Sequence, residues 1–580
     1  MSGPKTTERL LRGYGPLVGF AAIFLAISML VPTVRQEVTS TNTSASAATP
    51  GFIDPNAPVD MSAGDVASSD PAAGDTTSSL PADGGSGPAG GVGGPAGARA
   101  GQTTVKGAGG SVSGTPGAKS NSVGGVTPCP GRQVPGDPYS PPCFKFSGDN
   151  FGATSPGVTA DKVTVSIRSQ TFDNGLLDAI SKAAGAKIPN ESRAKINNTL
   201  YGIVEYINKT YEFYGRKLAL NVYDGQGEVE KELLGGGQEG AKGDALKVAS
   251  EIKAFADAGG ITPPYADALA GRKIISVGAP YVSRQWLTAR RPYAWSPLTD
   301  CTTVVESAAS YYLAKLAGKP AAYAGGSLTN QPRRTAILAP ENSWYQECAA
   351  AGQKLISDAG KGAEIVLNTS YKLDINQMAP QATSLIAKLK SQNITTVICG
   401  CDPLILVFLT GKAREQQYQP EWVETGVALT DQDLVGQIFD QQAWNKAFGV
   451  SFAGPPQAIQ AGIGYRAFKA MRPNEEPSIA ADLMYYQLQM VAIGVQMAGP
   501  NLTPESFEQG MFRYPSTAGP FGTWKFGPGD YTTSQDAKEV YWDKDAISAQ
   551  TGDPGTWVDP NGGKRYPIGQ FPPGEPNVPR

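Results

Sequence analysis

The chain of 580 residues contains no histidine. That absence removes Ser-His-Asp and Cys-His catalysis, histidine-bound zinc and any imidazole proton shuttle, the devices behind much of neutral-pH hydrolysis. Charge is also scarce. Only 17% of residues are charged and the net charge is -3, so no basic surface exists to neutralise a run of phosphates, and nucleic acid is not an expected partner. The six cysteines lack the paired C-x-x-C spacing that a tetrahedral zinc site favours, and neither metal nor cofactor is expected. Residues 235–242 (GGGQEGAK) miss a phosphate loop because Ala241 stands where the motif needs lysine. No carboxylate pair can be brought together from sequence, so no enzyme activity is expected.

Large apolar residues are few from residue 39 to about 126, where Ser, Thr, Ala, Pro and Gly dominate. Such a stretch buries too little surface to offset the entropy of ordering, so residues 35–128 read as a disordered linker. Before it, residues 15–34 (GPLVGFAAIFLAISMLVPTV) carry no charge and are long enough to cross a hydrocarbon core of about 30 Å as a transmembrane helix. Lys5, Arg9 and Arg12 precede this run, which predicts a cytoplasmic stub at 1–14 and an exported remainder. A cleaved signal segment is the alternative. Its small-residue site, Ala45-Ser46-Ala47, lies about ten residues past the apolar run, so an uncleaved membrane anchor is favoured. Residues 129–156 form a Pro-rich lead-in that Cys129 and Cys143 are expected to close as a local disulfide.

From residue 157 the pattern changes. Residues 162–167 (KVTVSI) alternate as a strand does, and Ile196, Leu200, Ile203, Ile207 and Tyr211 recur at helical spacing before a stop at Gly215. Strands at 218–223 and ending at Gly278, Pro340, Asn368 and Gly400 then alternate with helices near 302–317, 344–358, Leu385 and 404–416. Repeated βα alternation predicts an α/β fold of parallel sheets covered by helices on both faces. Such sheets bind ligands beyond the carboxyl ends of their strands, near the point where strand order reverses. That rule selects loops 169–173, 259–265, 279–286, 340–345, 399–403 and 424–428. Helix starts behind these loops would form a cradle for a carboxylate. Tyr281, Trp286, Trp344 and Tyr345 would supply walls with polar tips. The candidate ligand contacts are Thr171, Thr262, Tyr265, Ala279, Tyr281, Trp344, Tyr345, Cys401, Asp402 and Thr425.

The segments GVTADKVTVSI, INKTYEFYGRKLALNVYDGQGE, ILAPENSWYQECAAAGQKLI and VICGCDPLILVFLTGKARE occur in this order and spacing. Together they resemble type I periplasmic-binding proteins of the leucine/isoleucine/valine-binding family. The late segments DLMYYQLQMVAIGVQMAGPNLTPESF and GPFGTWKFGPGD…KEVYWD are similar to that family's closing part. The resemblance implies two Rossmann-like lobes joined by three crossovers around a hinged cleft. It sets the first lobe at 157–300 and 430–518, the second at 301–429 and 519–545, and leaves an irregular tail at 546–580. It also implies an extracytoplasmic solute-binding protein whose cleft closes on an amino acid or related small molecule, which an ABC transporter permease then accepts. By position it assigns contacts to Thr262, Ala279 and Tyr281 in the first lobe, and to Tyr345, Asp402 and Thr425 in the second. One loop departs from the family pattern: Pro263, Pro264 and Tyr265 follow Thr262 where small residues are usual. A ligand-sensing or co-receptor ectodomain, and a surface scaffold with a degenerate cleft, are the alternatives.

Four cysteines remain, Cys301, Cys348, Cys399 and Cys401, with three possible connectivities and free buried thiols as the other reading. The implied fold brings all four near one sheet edge, which favours pairing Cys399 and Cys401 with Cys301 or Cys348. A redox or soft-metal role for the C-G-C is the alternative.

Overall fold

The computed structural model describes residues 125–169, 191–233 and 235–579. The expected anchor at 15–34, nearly all of the linker and the candidate Thr171 lie outside them. Among the described residues no helix is long and apolar enough to cross a membrane.

The described chain opens with an antiparallel pair, β1 (Val126–Arg132) and β2 (Pro142–Phe146), clipped by a Cys129–Cys143 disulfide. Five parallel strands follow: β3 (Lys162–Ser169), β4 (Lys217–Asp224), β5 (Ala256–Gly260), β6 (Ile275–Gly278) and β7 (Ala294–Trp295). Their order is β4-β3-β5-β6-β7, with Val165 of β3 opposite Leu220 on one side and Ala256 on the other. Val163, Val165 and Ile167 are buried, as a strand covered on both faces requires. The helix Arg193–Thr210, capped by Ser192, packs with helices Ile463–Met471 and Ala481–Ala498, while Gln238–Lys247 packs with Pro263–Gly271.

Strand β5 has no signal in the local pattern. Its sequence, Ala256-Asp257-Ala258-Gly259-Gly260, contains no β-branched residue, yet all five residues are buried. A Cβ at Gly260 would strike Ser276 Oγ on β6, and one at Gly278 would meet the Gly260 backbone. Close strand approach therefore selects the glycines. The expected loop at 259–265 shrinks accordingly, because Gly259 and Gly260 belong to the strand and Pro263 opens the next helix.

The second sheet repeats the order of the first. β8 (Thr335–Pro340), β9 (Ile365–Tyr371), β10 (Thr396–Cys399), β11 (Glu421–Glu424) and β12 (Phe448–Ser451) run parallel as β9-β8-β10-β11-β12. A small ribbon, β13 (Thr517–Gly519) with β14 (Gly522–Trp524), leads to β15 (Asp536–Ile547), which adds antiparallel to β12. β16 (Pro554–Val558) and β17 (Arg565–Pro567) then pair with β15.

Two expected boundaries move. The return to the first sheet, expected near Thr430, comes after Ser451, because Val423 of β11 pairs with Phe448 and β12 closes the parallel run. Residues 546–580 are not irregular throughout. β16 and β17 cover the edges that β15 would otherwise expose, and Phe571 packs edge-on to Tyr311 at 5.5 Å. Both features depend on pairing with distant strands, which local periodicity does not encode.

Three segments, near 296–300, 452–462 and 514–535, join the sheets, and they are laced together. Thr533 Oγ1 donates to the Pro297 carbonyl at 2.8 Å, and Arg565 donates to Asp536 Oδ1 and to the carbonyls of Phe452 and Ala453. The lead-in adds a strap. Tyr139 stacks on Trp524 with ring centroids 4.0 Å apart, donates to the Gly522 carbonyl and accepts from the Phe521 N–H. Next to it, Asp137 accepts from Tyr485 on the helix Ala481–Ala498.

Candidate functional site

Strand order reverses between β3 and β5 in the first sheet and between β8 and β10 in the second, so the cleft between their carboxyl ends is the candidate site. In the first sheet the reversal is filled from within. Arg168, fully buried on β3, donates to Glu232 at 2.6 and 2.9 Å and to Asp244 at 3.0 Å, and its guanidinium lies 3.8 Å from the centre of the Tyr265 ring. Thr262 Oγ1 donates to Glu232 and also caps the Pro263–Gly271 helix by accepting from the Tyr265 N–H. The Tyr265 hydroxyl bonds to Asp257 at 3.0 Å and to the Tyr223 hydroxyl at 2.5 Å. Burial drives the Asp257 carboxyl up to about 6, a rise that the bonds from Ser166, the Gly259 N–H and Tyr265 hold in check. Thr262 and Tyr265 thus come together, but inside the lobe and on each other's partners. Ala279 is core as well.

The second reversal is held differently. Cys399 and Cys401 are joined to each other, and Cys301 to Cys348. This corrects the expected cross-pairing: the helices Cys301–Lys315 and Ser343–Asp358 pack side by side, and the turn after β10 brings its own two cysteines together. Asp402 caps the Pro403–Glu415 helix through Leu404 and Ile405, and accepts from the Tyr371 hydroxyl at 2.5 Å. Burial raises its pKa, opposed by those bonds. Thr425 Oγ1 donates to the Cys399 carbonyl at 3.1 Å. Trp344 and Tyr345 meet edge to face at 5.8 Å, and burial pushes the Tyr345 hydroxyl up to about 12. Trp344 faces the first lobe, since a Cβ on Gly235 would lie 3.2 Å from its ring.

Tyr281 is the candidate that spans the lobes. It sits after β6 with φ of 55°, packs among second-lobe core residues and bonds the Leu429 backbone. It also lines a cavity of about 220 Å³ beside the crossovers, away from both reversals. Phe452, Tyr486, Phe521 and Trp524 give that cavity aromatic walls, and Asp431, Asp433, Asp482 and Lys538 give it charge. Asp431 accepts from Ser451 and from the Phe452 and Ala453 N–H groups; Lys538 is paired with Asp559 at 2.7 Å. Behind the wall, Glu424 accepts from Thr430 and the Thr425 and Gly426 N–H groups, and burial raises its carboxyl to about 8. Of these residues the loop rule selects Tyr281 and, at and behind the wall, Glu424, Thr425 and Gly426. The aromatic spacing in GPFGTWKF was the available signal for Phe521 and Trp524. Among the described residues no group of three His, Cys, Asp or Glu is placed to hold a metal.

No curated protein matches the chain. Among solved structures it is similar to a solute-binding protein of an ABC transporter from R. palustris in complex with 4-hydroxybenzoate, at 13% identity over 70% of this chain and 97% of that one, with a TM-score of 0.48. It is also similar to a branched-chain amino acid transporter substrate-binding protein from Streptococcus pneumoniae in complex with isoleucine, at 14% identity over 69% and 99%, TM-score 0.45. A fatty acid ABC transporter substrate-binding protein from Thermomonospora curvata shares 13% identity over 72% and 98%, TM-score 0.46. Residues 197–546, more than half of the sequence, match the family described as periplasmic binding protein, and the chain belongs to that family.

Proposed function

We propose that this protein captures a small organic solute outside the cytoplasm by closing its two lobes and delivers it to an ABC transporter permease. It is not an enzyme in this reading. The observation that carries the reading is a solvent-reaching cavity whose walls come from both lobes and from all three crossovers. A ligand touching every moving part favours one hinge angle over others, and that differential contact is what drives closure. Residues 15–34 would hold the domain at the membrane and residues 35–124 would serve as its tether.

An amino acid, the solute implied by the resemblance, needs a hydroxyl or N–H donor for its carboxylate and an acid for its ammonium. Thr262 and Asp402 are instead spent on Glu232 and Tyr371. The same observation favours a second reading, a surface scaffold with a degenerate cleft. Titration calorimetry with small-angle scattering on the exported domain separates the two, using a panel of amino acids, amides, aromatic acids and short fatty acids. A solute that binds and compacts the domain supports capture. A panel without any such solute supports the scaffold.

A further inference from the structure

Resting on the solute-capture reading, we propose that the cleft takes a largely apolar organic solute bearing no negative charge, neutral or cationic, in the aromatic cavity beside the crossovers, and rejects carboxylates. The first ground is the loss of anion donors at the two helix starts that follow β5 and β10. A helix start binds an anion through free N–H groups of its first turn. At the Pro263–Gly271 helix, Pro263 and Pro264 have no N–H to offer, and the Tyr265 N–H is taken by Thr262. At the Pro403–Glu415 helix, Pro403 again lacks the N–H, while Asp402 occupies those of Leu404 and Ile405. A carboxylate also stands at each start: Glu232 accepts from the capping Thr262 hydroxyl, and Asp402 is itself the cap.

The second ground is the cavity's own charge. Asp431, Asp433 and Asp482 line it, and Lys538, the one cation among its described lining residues, is already paired with Asp559. In a partly buried space such charges repel a carboxylate and attract an ammonium or guanidinium. The third ground is the walls. Tyr281, Phe452, Tyr486, Phe521 and Trp524 present ring faces and edges, which suit an apolar body and stabilise a cation by its attraction to the ring face.

The test uses matched pairs that differ only in the charged group, with the exported domain and calorimetry: leucine against leucinamide, benzoate against benzamide, and hexanoate against hexylamine. The uncharged or cationic member is expected to bind at least about tenfold tighter in each pair that binds at all. Asp431→Asn, with folding checked by circular dichroism, is expected to narrow that gap. Phe521→Ala is expected to weaken the tighter member about tenfold, and more than Trp344→Ala does. A carboxylate that binds as tightly as its amide or amine overturns the proposal yet leaves solute capture standing, as does affinity that depends on Trp344 and not on Phe521. Binding of no probe, with no compaction by any, removes the capture reading itself.

Discussion

In the first lobe the strand-order reversal is closed by charge: Arg168 is buried against Glu232 and Asp244, and Thr262 and Tyr265 complete the cluster. In the second lobe the same position, on a sheet of the same strand order, is closed by a Cys399–Cys401 disulfide and a neutral-to-acid pair, Tyr371 with Asp402. The contrast teaches that repeating a topology does not repeat a site. An ion cluster at zero exposure keeps its stability only while every charge has a partner, whereas the second lobe depends on one capped carboxylate.

The sharpest way to break this comparison is Arg168→Met. It leaves Glu232 and Asp244 buried without their cation, and a loss of about 3–5 kcal/mol in urea unfolding is expected. A loss below about 1 kcal/mol would show that the first reversal does not depend on charge. Removing the lead-in clip with Cys129→Ser and Cys143→Ser opens a loop with a sequence separation of 14; about 3 kcal/mol should be lost on the loop-entropy account. If the strap through Tyr139 holds the crossovers, scattering should also report a wider distribution of lobe angles in that variant. Tyr371→Phe tests the second reversal. It removes the hydroxyl's bond to a half-buried carboxylate and the bond that hydroxyl accepts from the Asp402 N–H, so about 1–3 kcal/mol is expected, less than for Arg168→Met. Equal losses for the two variants would erase the distinction between the lobes.

The last effect concerns Glu424 and shows only against pH. Its folded value of about 8 lies above the ordinary 4.5, so between those values the folded protein holds a proton that the unfolded chain has released. Stability therefore falls as pH rises through that window and levels off above it. Glu424→Gln keeps an acceptor for Thr425, Gly426 and Thr430 and should flatten this slope in melts from pH 5 to pH 8. An unchanged slope would assign it to another group, with Asp257 the next to replace.

Much of the fold was legible because it is written in local periodicity. β3, β4, β8 and the helices Arg193–Thr210 and Ser343–Asp358 stand close to where alternation and helical spacing put them. β5 was not, because Ala and Gly carry no strand preference and are chosen there by the closeness of β6. Of the candidate site, Tyr281 was found where the loop rule pointed. The same rule selected Thr262 and Asp402, whose polar atoms the fold then turned inward onto Glu232 and Tyr371. Glu232 lies thirty residues from Thr262, and nothing in either neighbourhood announces the pairing.

The sequence by itself determined the exclusions and the class: the missing histidines remove imidazole chemistry, and sustained βα alternation described parallel α/β sheets, while the two lobes came from the resemblance. It also held the two prolines after Thr262, whose missing N–H groups are a property of the residue and need no coordinates. Only the tertiary structure decided how Cys301, Cys348, Cys399 and Cys401 pair, that the tail completes the second sheet, and that the cavity lies beside the crossovers. Those outcomes depend on distances between residues far apart in the chain, and local pattern carries no record of them.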